Sequence, residues 1–171
     1  KNIPSNQFYA MTLLDEFRAS YQLAKMCKVS VMDISDLYIY GNHSATQFPD
    51  YTNAKVNDQL ITSVLDQSWL ETTFVPMIQQ RGAAVIKARG ASSAASAARS
   101  ATETARHIWS RSIKPFSVAV LSRGCYDAPE GIVVSAPYSF KSGEGSVYDH
   151  FNHDTKTKAM IEKSYQELLQ E

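Results

Sequence analysis

Phe116-Ser117-Val118-Ala119-Val120-Leu121 and Ile132-Val133-Val134-Ser135-Ala136-Pro137-Tyr138-Ser139-Phe140 decide the fold class of this chain. Both runs are short and rich in β-branched and aromatic residues. Gly124–Gly131 separates them and carries Asp, Pro and Gly as turn formers, so two strands are predicted. Pro137 has no backbone donor for a ladder, which predicts an edge position or a bulge for the second strand. Lys141-Ser142-Gly143-Glu144-Gly145 reads as a hairpin-type loop leading to a short third strand, Ser146–Asp149. A closing helix follows over Thr155–Gln170, with Ile161, Tyr165, Leu168 and Leu169 apolar.

Upstream of this block the apolar spacing is mostly helical. Leu13, Phe17, Tyr21 and Ala24, widened by Leu14, predict a helix over about Phe8–Lys28, with Asp15, Arg18 and Gln22 on a different face. Val29–Asp36 is a polar-interrupted connection to a short strand, Leu37–Tyr40, which ends in the turn Gly41-Asn42-His43-Ser44. Phe48-Pro49-Asp50 reads as a loop, and Asn53–Gln59 as an extended segment. A second helix is expected from near Trp69 to Arg89, capped by Asp66 or Ser68, with Pro76 in its first turns or kinking it and Gly90 as its stop. Ser92 is expected to cap a third helix, Ser93 to about Ser110, whose alanines and serines permit close approach to a neighbouring helix or a ligand. Helices and antiparallel strands fall in segregated blocks, so the class is α+β, an antiparallel sheet with packed helices in one domain over residues 1–171.

Composition narrows the function classes. The 171 residues are 44% hydrophobic and 20% charged, enough to bury a core. Lys+Arg and Asp+Glu each number 17, and this balance argues against a nucleic-acid surface or an anionic-membrane binder. No apolar run approaches the roughly 18 residues a membrane helix needs. Cys27 and Cys125 are far apart and form no ligand-spaced pair, which fits a reducing compartment. Lys1-Asn2-Ile3-Pro4 lacks a basic segment followed by an apolar core, so a signal peptide is not expected there. No G-x-G-x-x-G occurs, and no recognisable nucleotide site is expected in this chain.

A histidine just past a strand end stands on a rigid mount, so His43 is a candidate acid–base group; by itself the hexapeptide Ile39–Ser44 reads first as a turn with a surface histidine. Asp15 and Arg18, three apart on a helix, form either a surface ion pair or two tools: a carboxylate that orients an imidazole, and a guanidinium fork that holds a carboxylate. His150 and His153, flanked by Asp149 and Asp154, lack a third ligand at metal-site spacing; no metal is expected, and the segment reads as a solvated loop. His107, beside Ile108 and Trp109, reads as a packing histidine. A serine hydrolase is disfavoured by the absence of a G-x-S-x-G elbow.

Leu14-Asp15-Glu16-Phe17-Arg18-Ala19 resembles the LDxxRA motif of the malate dehydrogenases, and Gly41-Asn42-His43-Ser44 resembles that family's catalytic-histidine segment. Trp69-Leu70, Phe74, the run Gln79–Arg89 and Ser92–Ala98 are similar to the cytosolic-type branch, and the likeness continues through Gly124–Gly131 to the closing helix. The sequence departs from the family pattern at Tyr40, usually tryptophan, and at Glu16-Phe17, usually a more polar pair. The resemblance implies the C-terminal, substrate-binding domain fold of lactate/malate dehydrogenases. It implies His43 as proton acceptor in malate oxidation, Asp15 as its orienting carboxylate, Arg18 as the clamp on the substrate carboxylate and Ser92 as a pocket-lining residue. NAD would be held mainly by an N-terminal Rossmann domain that this chain does not include. The expected partners are malate or oxaloacetate, that Rossmann domain and a second copy in a homodimer, with no nucleic acid or membrane. The expected compartment is the cytoplasm, or alternatively an organelle. Without a hydride carrier the chain alone is expected to be inactive. A non-catalytic interaction module derived from a 2-hydroxy-acid dehydrogenase is the alternative.

Overall fold

A computed structural model describes residues 3–171; Lys1 and Asn2, part of the segment read against a signal peptide, lie outside the described residues. The frame is a four-stranded antiparallel sheet in the order β1 (Ala10–Met11), β7 (Phe116–Leu121), β8 (Val133–Lys141), β9 (Glu144–Val147). The remaining strands are two-residue pairs. β2 (Ile34–Ser35) joins β5 (Lys55–Val56) and β6 (Gln59–Leu60), and β3 (Ile39–Tyr40) joins β4 (Phe48–Pro49). Among the described residues no helix is long and apolar enough to cross a membrane.

The α+β reading holds, and its departures have local causes. The first helix, α1, spans Leu13–Cys27 rather than starting at Phe8, because Ala10 and Met11 are drawn into the sheet opposite Ala119 and Val118. Its buried face is Leu13, Leu14, Asp15, Ala19, Leu23 and Ala24, while Tyr21 of the expected stripe is exposed. Asp15 therefore points inward instead of lying on a polar face. Phe48-Pro49 is a strand and not a loop: Pro49 and Phe48 sit opposite Ile39 and Tyr40. The extended segment after Asn53 folds back on itself as the β5–β6 hairpin.

The long second helix is broken. Asp66 caps it by accepting from the Trp69 amide at 2.8 Å. After a short turn (α3, Gln67–Trp69) the backbone widens into a π-helical stretch, Leu70–Phe74, where Val75 N–H bonds the carbonyl of Leu70. Pro76, which has no N–H to give, sits in the first turn of α4 (Val75–Gln79). The chain then turns at Gln80 into α5 (Arg81–Arg89), ended by Gly90 with φ +71°. α2 (Ile61–Val64) is a single turn after β6. No residue of α5 is buried. The serine–alanine helix, α6, spans Ala95–Trp109, and Ser92 does not cap it; its N-cap position is Ala94.

β8 lies between two neighbours and is not an edge strand. It tolerates Pro137 because the carbonyl of that residue accepts from Tyr148 N at 2.8 Å, so its nitrogen faces the β9 side, just past the last β8–β9 pair, Tyr138–Val147. The β8–β9 turn is the two-residue Ser142-Gly143, both at positive φ, so β9 begins at Glu144 rather than Ser146. α7 spans Thr155–Gln170 as expected, with the Asp154 carboxylate on Thr157 N at 2.7 Å.

Two apolar clusters hold these parts together. Ala19 and Leu23 of α1 meet Ile39, Tyr40, Phe48, Phe74 and Ile78 in the larger one, which Ile161 and Tyr165 of α7 close. Leu13, Phe116, Val118, Tyr138 and Phe140 form the smaller one over the sheet. Each such fully buried aliphatic or aromatic side chain contributes on the order of 1.5–3 kcal/mol. His107 stacks on Phe116 with ring centroids 4.6 Å apart, as a packing histidine should.

Candidate active site

β3 is the mount on which the candidate site is built. Its first residue, Ile39, gives its N–H to Ser117 Oγ of β7 at 2.9 Å and receives Ser135 Oγ of β8 on its carbonyl at 2.8 Å. The same Ser135 hydroxyl stands 2.7 Å from Thr12 Oγ1, just before α1. Gly41 continues the strand by exchanging two backbone hydrogen bonds with Ser135, at 3.1 and 2.9 Å. Gly41 has φ +91°, and a Cβ there would collide with the Ser164 side chain of α7, so only glycine suits this position. The chain then turns and delivers His43.

Asp15 enters the same place from the first turn of α1, where a carboxylate also meets the positive end of the helix dipole. Its side chain is fully buried. Oδ2 lies 2.5 Å from His43 Nδ1, and Oδ1 accepts from Arg18 Nη1 at 3.1 Å. Oδ2 makes no well-aligned hydrogen bond; its contact with the His43 ring is close but off the line of a ring N–H. The second Arg18 nitrogen, Nη2, reaches Ser93 Oγ at 3.4 Å. The imidazole itself is 55% exposed, so its edge is open to an incoming molecule. Nδ1 is taken by Asp15, while Nε2 meets no protein partner among the described residues. The close contact with the Asp15 carboxylate raises the pKa of His43 above its ordinary value; partial burial and the Arg18 charge oppose it.

The structure thus brings Asp15, Arg18 and His43 together from two separate elements, and leaves Ser92 exposed, with its neighbour Ser93 on Arg18. Sequence reasoning missed Ser93 because it started the helix too early. It also missed Ser117 and Ser135, whose inward hydroxyls hold β3, since serine within an apolar strand carries no pairing signal. Leu14, Phe17 and Arg18 line one side of a cleft of about 210 Å³ between α1 and α6. A larger cleft, about 510 Å³, lies between Tyr126, the loop before α7 and α7 itself; none of Asp15, Arg18, His43 and Ser92 lines it.

The expectation of a solvated loop at His150–His153 is corrected for one residue. His150 is exposed beside Asp149, but His153 is buried, with Nε2 3.0 Å from Asp50 Oδ2. Burial of an imidazole demands a polar partner, and Asp50, itself fed by Thr52 and Asn53, supplies it. No cluster of three or more metal-ligating side chains occurs among the described residues. Cys27 and Cys125 are unpaired.

Comparison with known proteins adds a family. The lactate/malate dehydrogenase α/β C-terminal domain matches residues 12–171. The chain is 40% identical to a malate dehydrogenase of Cutibacterium acnes over 99% of its own length and 53% of that protein. A solved malate dehydrogenase from Naegleria fowleri superposes with TM-score 0.87 at 37% identity, covering 98% of this chain and 52% of that one. The fold also matches a Trichomonas vaginalis lactate dehydrogenase in complex with NADH and oxamate, with TM-score 0.91 at 24% identity, over 98% of this chain and 54% of that one. The chain spans about half the length of the curated relative it matches.

Proposed function

This chain belongs to the lactate/malate dehydrogenase family, as its α/β C-terminal domain, and on that premise we propose that it is the catalytic half of an NAD-dependent malate dehydrogenase, interconverting malate and oxaloacetate. The observation that carries the reading is the Asp15–His43 contact at Nδ1, on a half-exposed ring whose Nε2 has no protein partner among the described residues, beside a partly buried arginine. Malate over lactate is supported by the 40% identity to a malate dehydrogenase.

The chemistry follows from these side chains. His43 Nε2 takes the proton of the malate C2 hydroxyl during oxidation and returns it during reduction of oxaloacetate. Asp15 holds the proton on Nδ1, so that Nε2 is the basic nitrogen, and stabilises the imidazolium that forms. Arg18 has N–H donors beyond those on Asp15 and Ser93, and these hold the substrate's C1 carboxylate. Ser92 and Ser93 border the pocket at the approach to α6. The residues of this chain fit the substrate side of the reaction and offer no nucleotide cradle among those described. NAD, when bound, supplies the hydride acceptor for C2, and a Rossmann domain outside this chain would hold it. The isolated chain accordingly has negligible activity. A homodimer in the cytoplasm, or in an organelle, is the setting that likeness to the cytosolic-type branch supports.

The test is His43→Asn in the full-length protein that contains this chain. We expect kcat in both directions to fall by about 10²–10⁴-fold with NADH binding unchanged. Turnover within about twofold of the parent would overturn the assignment and favour a non-catalytic module. Oxidation of NADH with oxaloacetate by the purified 171-residue chain would overturn the inactivity of the isolated half.

A further inference from the structure

We infer that Glu167, together with Ser164, is a positioning residue for His43, holding from α7 the turn that carries the imidazole; the inference rests on the proposed role of that histidine. After Gly41 the chain leaves the sheet, and the imidazole at its tip is largely exposed, so packing around the ring cannot fix it. Asp15 engages the ring, but the backbone beneath must come from somewhere else. α7 provides it.

The contacts converge from both sides of His43. Asn42 N donates to Ser164 Oγ at 2.7 Å, and Asn42 Nδ2 donates to Glu167 Oε2 at 3.1 Å. Past the histidine, the Ser44 hydroxyl donates to that same oxygen, and Thr46 Oγ1 lies 2.5 Å from it and 2.9 Å from Ser164 Oγ. Thus three donors that bracket His43 in sequence meet on one carboxylate oxygen one helical turn beyond Ser164. Charge-assisted bonds of this kind are shorter and stronger than neutral ones, and hydroxyls alone would not select an acid. These hydroxyls hold the Glu167 carboxyl below its usual pKa, Ser44 first, so it stays ionised over the working range. Ser164 also occupies the space a side chain at Gly41 would need, so helix and turn are fitted face to face. None of these groups reaches the reacting atoms. Their effect is on where Nε2 stands, and a displacement of about 1 Å in such a group costs on the order of 10²-fold in rate.

The experiment uses two readouts. In the full-length enzyme, Glu167→Ala should lower kcat by about 10- to 100-fold while KM for malate stays within about twofold, because Arg18 is untouched. Glu167→Gln, which keeps an acceptor oxygen, should recover most of that loss. In the full-length enzyme, an NMR titration of the His43 ring should move toward an unperturbed imidazole in Glu167→Ala, because the Asp15 contact is populated less. If Glu167→Ala fails to fold, Ser44→Ala removes a donor from the same oxygen and should shift the titration in the same direction. An unchanged His43 titration overturns the inference, whatever happens to stability. So does unchanged kcat in a folded Glu167→Ala enzyme. His43→Asn separates the two ideas. If it abolishes turnover while Glu167→Ala does nothing, only the positioning role falls; if it leaves turnover intact, the function itself falls, and the titration still reports the geometry.

Discussion

Asp15→Asn is the sharpest test of the site, because one carboxylate serves two donors. Oδ2 faces His43 Nδ1 at 2.5 Å and Oδ1 faces Arg18 Nη1 at 3.1 Å, both on a fully buried side chain. An amide has one acceptor oxygen and one NH2, so it can satisfy only one of them. If its oxygen serves Arg18, the NH2 meets Nδ1 and forces the proton onto Nε2, the nitrogen that must accept. If its oxygen serves His43, the NH2 opposes a guanidinium donor. Leaving partly buried Arg18 unsatisfied costs at most about 1–3 kcal/mol of stability, and leaving half-exposed His43 unsatisfied costs less. Losing the correct tautomer and the imidazolium's counter-charge together should cost kcat about 10²–10⁴-fold, or roughly 3–5 kcal/mol in the barrier. With Asp15 gone, only burial and Arg18 act on the imidazole, and both lower its pKa, so the His43 titration should fall below that of a free histidine. The stability effect has a sign. His43 is raised in the folded state, so its share of stability is full at pH below the unfolded value of about 6.5 and is lost as pH rises through the folded value. The variant's deficit relative to the parent should therefore shrink as pH rises above about 6.5. The measurements are urea melts across that range, an NMR titration of His43 and steady-state kinetics of the full-length enzyme. An upward or unchanged His43 titration, or kcat within about twofold of the parent, would refute the reasoning.

Three further outcomes are expected. Burial raises the Glu16 carboxyl to about 7 where it accepts from Ser117 N at 2.7 Å, so stability should fall as pH climbs from about 4.5 through about 7, by at most about 3 kcal/mol; Glu16→Gln should flatten that slope in urea melts, and an unchanged slope would remove Glu16 as its source. Asp50→Ala strands buried His153 and the donors of Thr52 and Asn53, and should lower stability by about 3–5 kcal/mol as a reduced urea midpoint; a loss below about 1 kcal/mol would show that the pocket relaxes. Gly41→Ala combines positive φ with a collision at Ser164 and should cost more than about 1 kcal/mol, with Ser164→Gly recovering only the collision's part; full recovery in the double variant would mean that the backbone is not strained.

How much of this was legible depended on whether a signal is local. α7, the run Phe116–Leu121 and the stop at Gly90 are written in consecutive residues, and each sits where the sequence puts it. The break at Gln80 and the π-helical turn ahead of Pro76 are not, because they answer to packing of Leu70, Phe74 and Ile78 against the core. Phe48-Pro49 resembled a loop because the two residues are followed at once by Asp50 and proline is a poor ladder member, whereas their partner, Ile39-Tyr40, lies across the whole turn that carries His43. Within the site, spacing put Asp15 near Arg18, but nothing local revealed that Asp15 is buried or that it meets His43. The resemblance supplied that pairing as an expectation, and the geometry sets the same residues side by side. His153 was misread for the same kind of reason: its partner, Asp50, is remote in sequence and became visible only once the loop before α7 folded over it.

The register of β1 carries a consequence for how the chain comes to be folded. Ala10 faces Ala119 and Met11 faces Val118, whereas β7, β8 and β9 pair through short connections. The meander can close early because little chain must be constrained, while each contact reaching back toward the amino-terminal third closes a loop of many tens of residues. Asp15, His43, Ser93 and Glu167 come from four distant segments, so the proposed site and its support have no nucleus of their own. Substitutions within β7 and β8 should slow folding, whereas those around His43 should chiefly speed unfolding. Assembly of the site is thus expected to follow closure of the β7–β8–β9 meander.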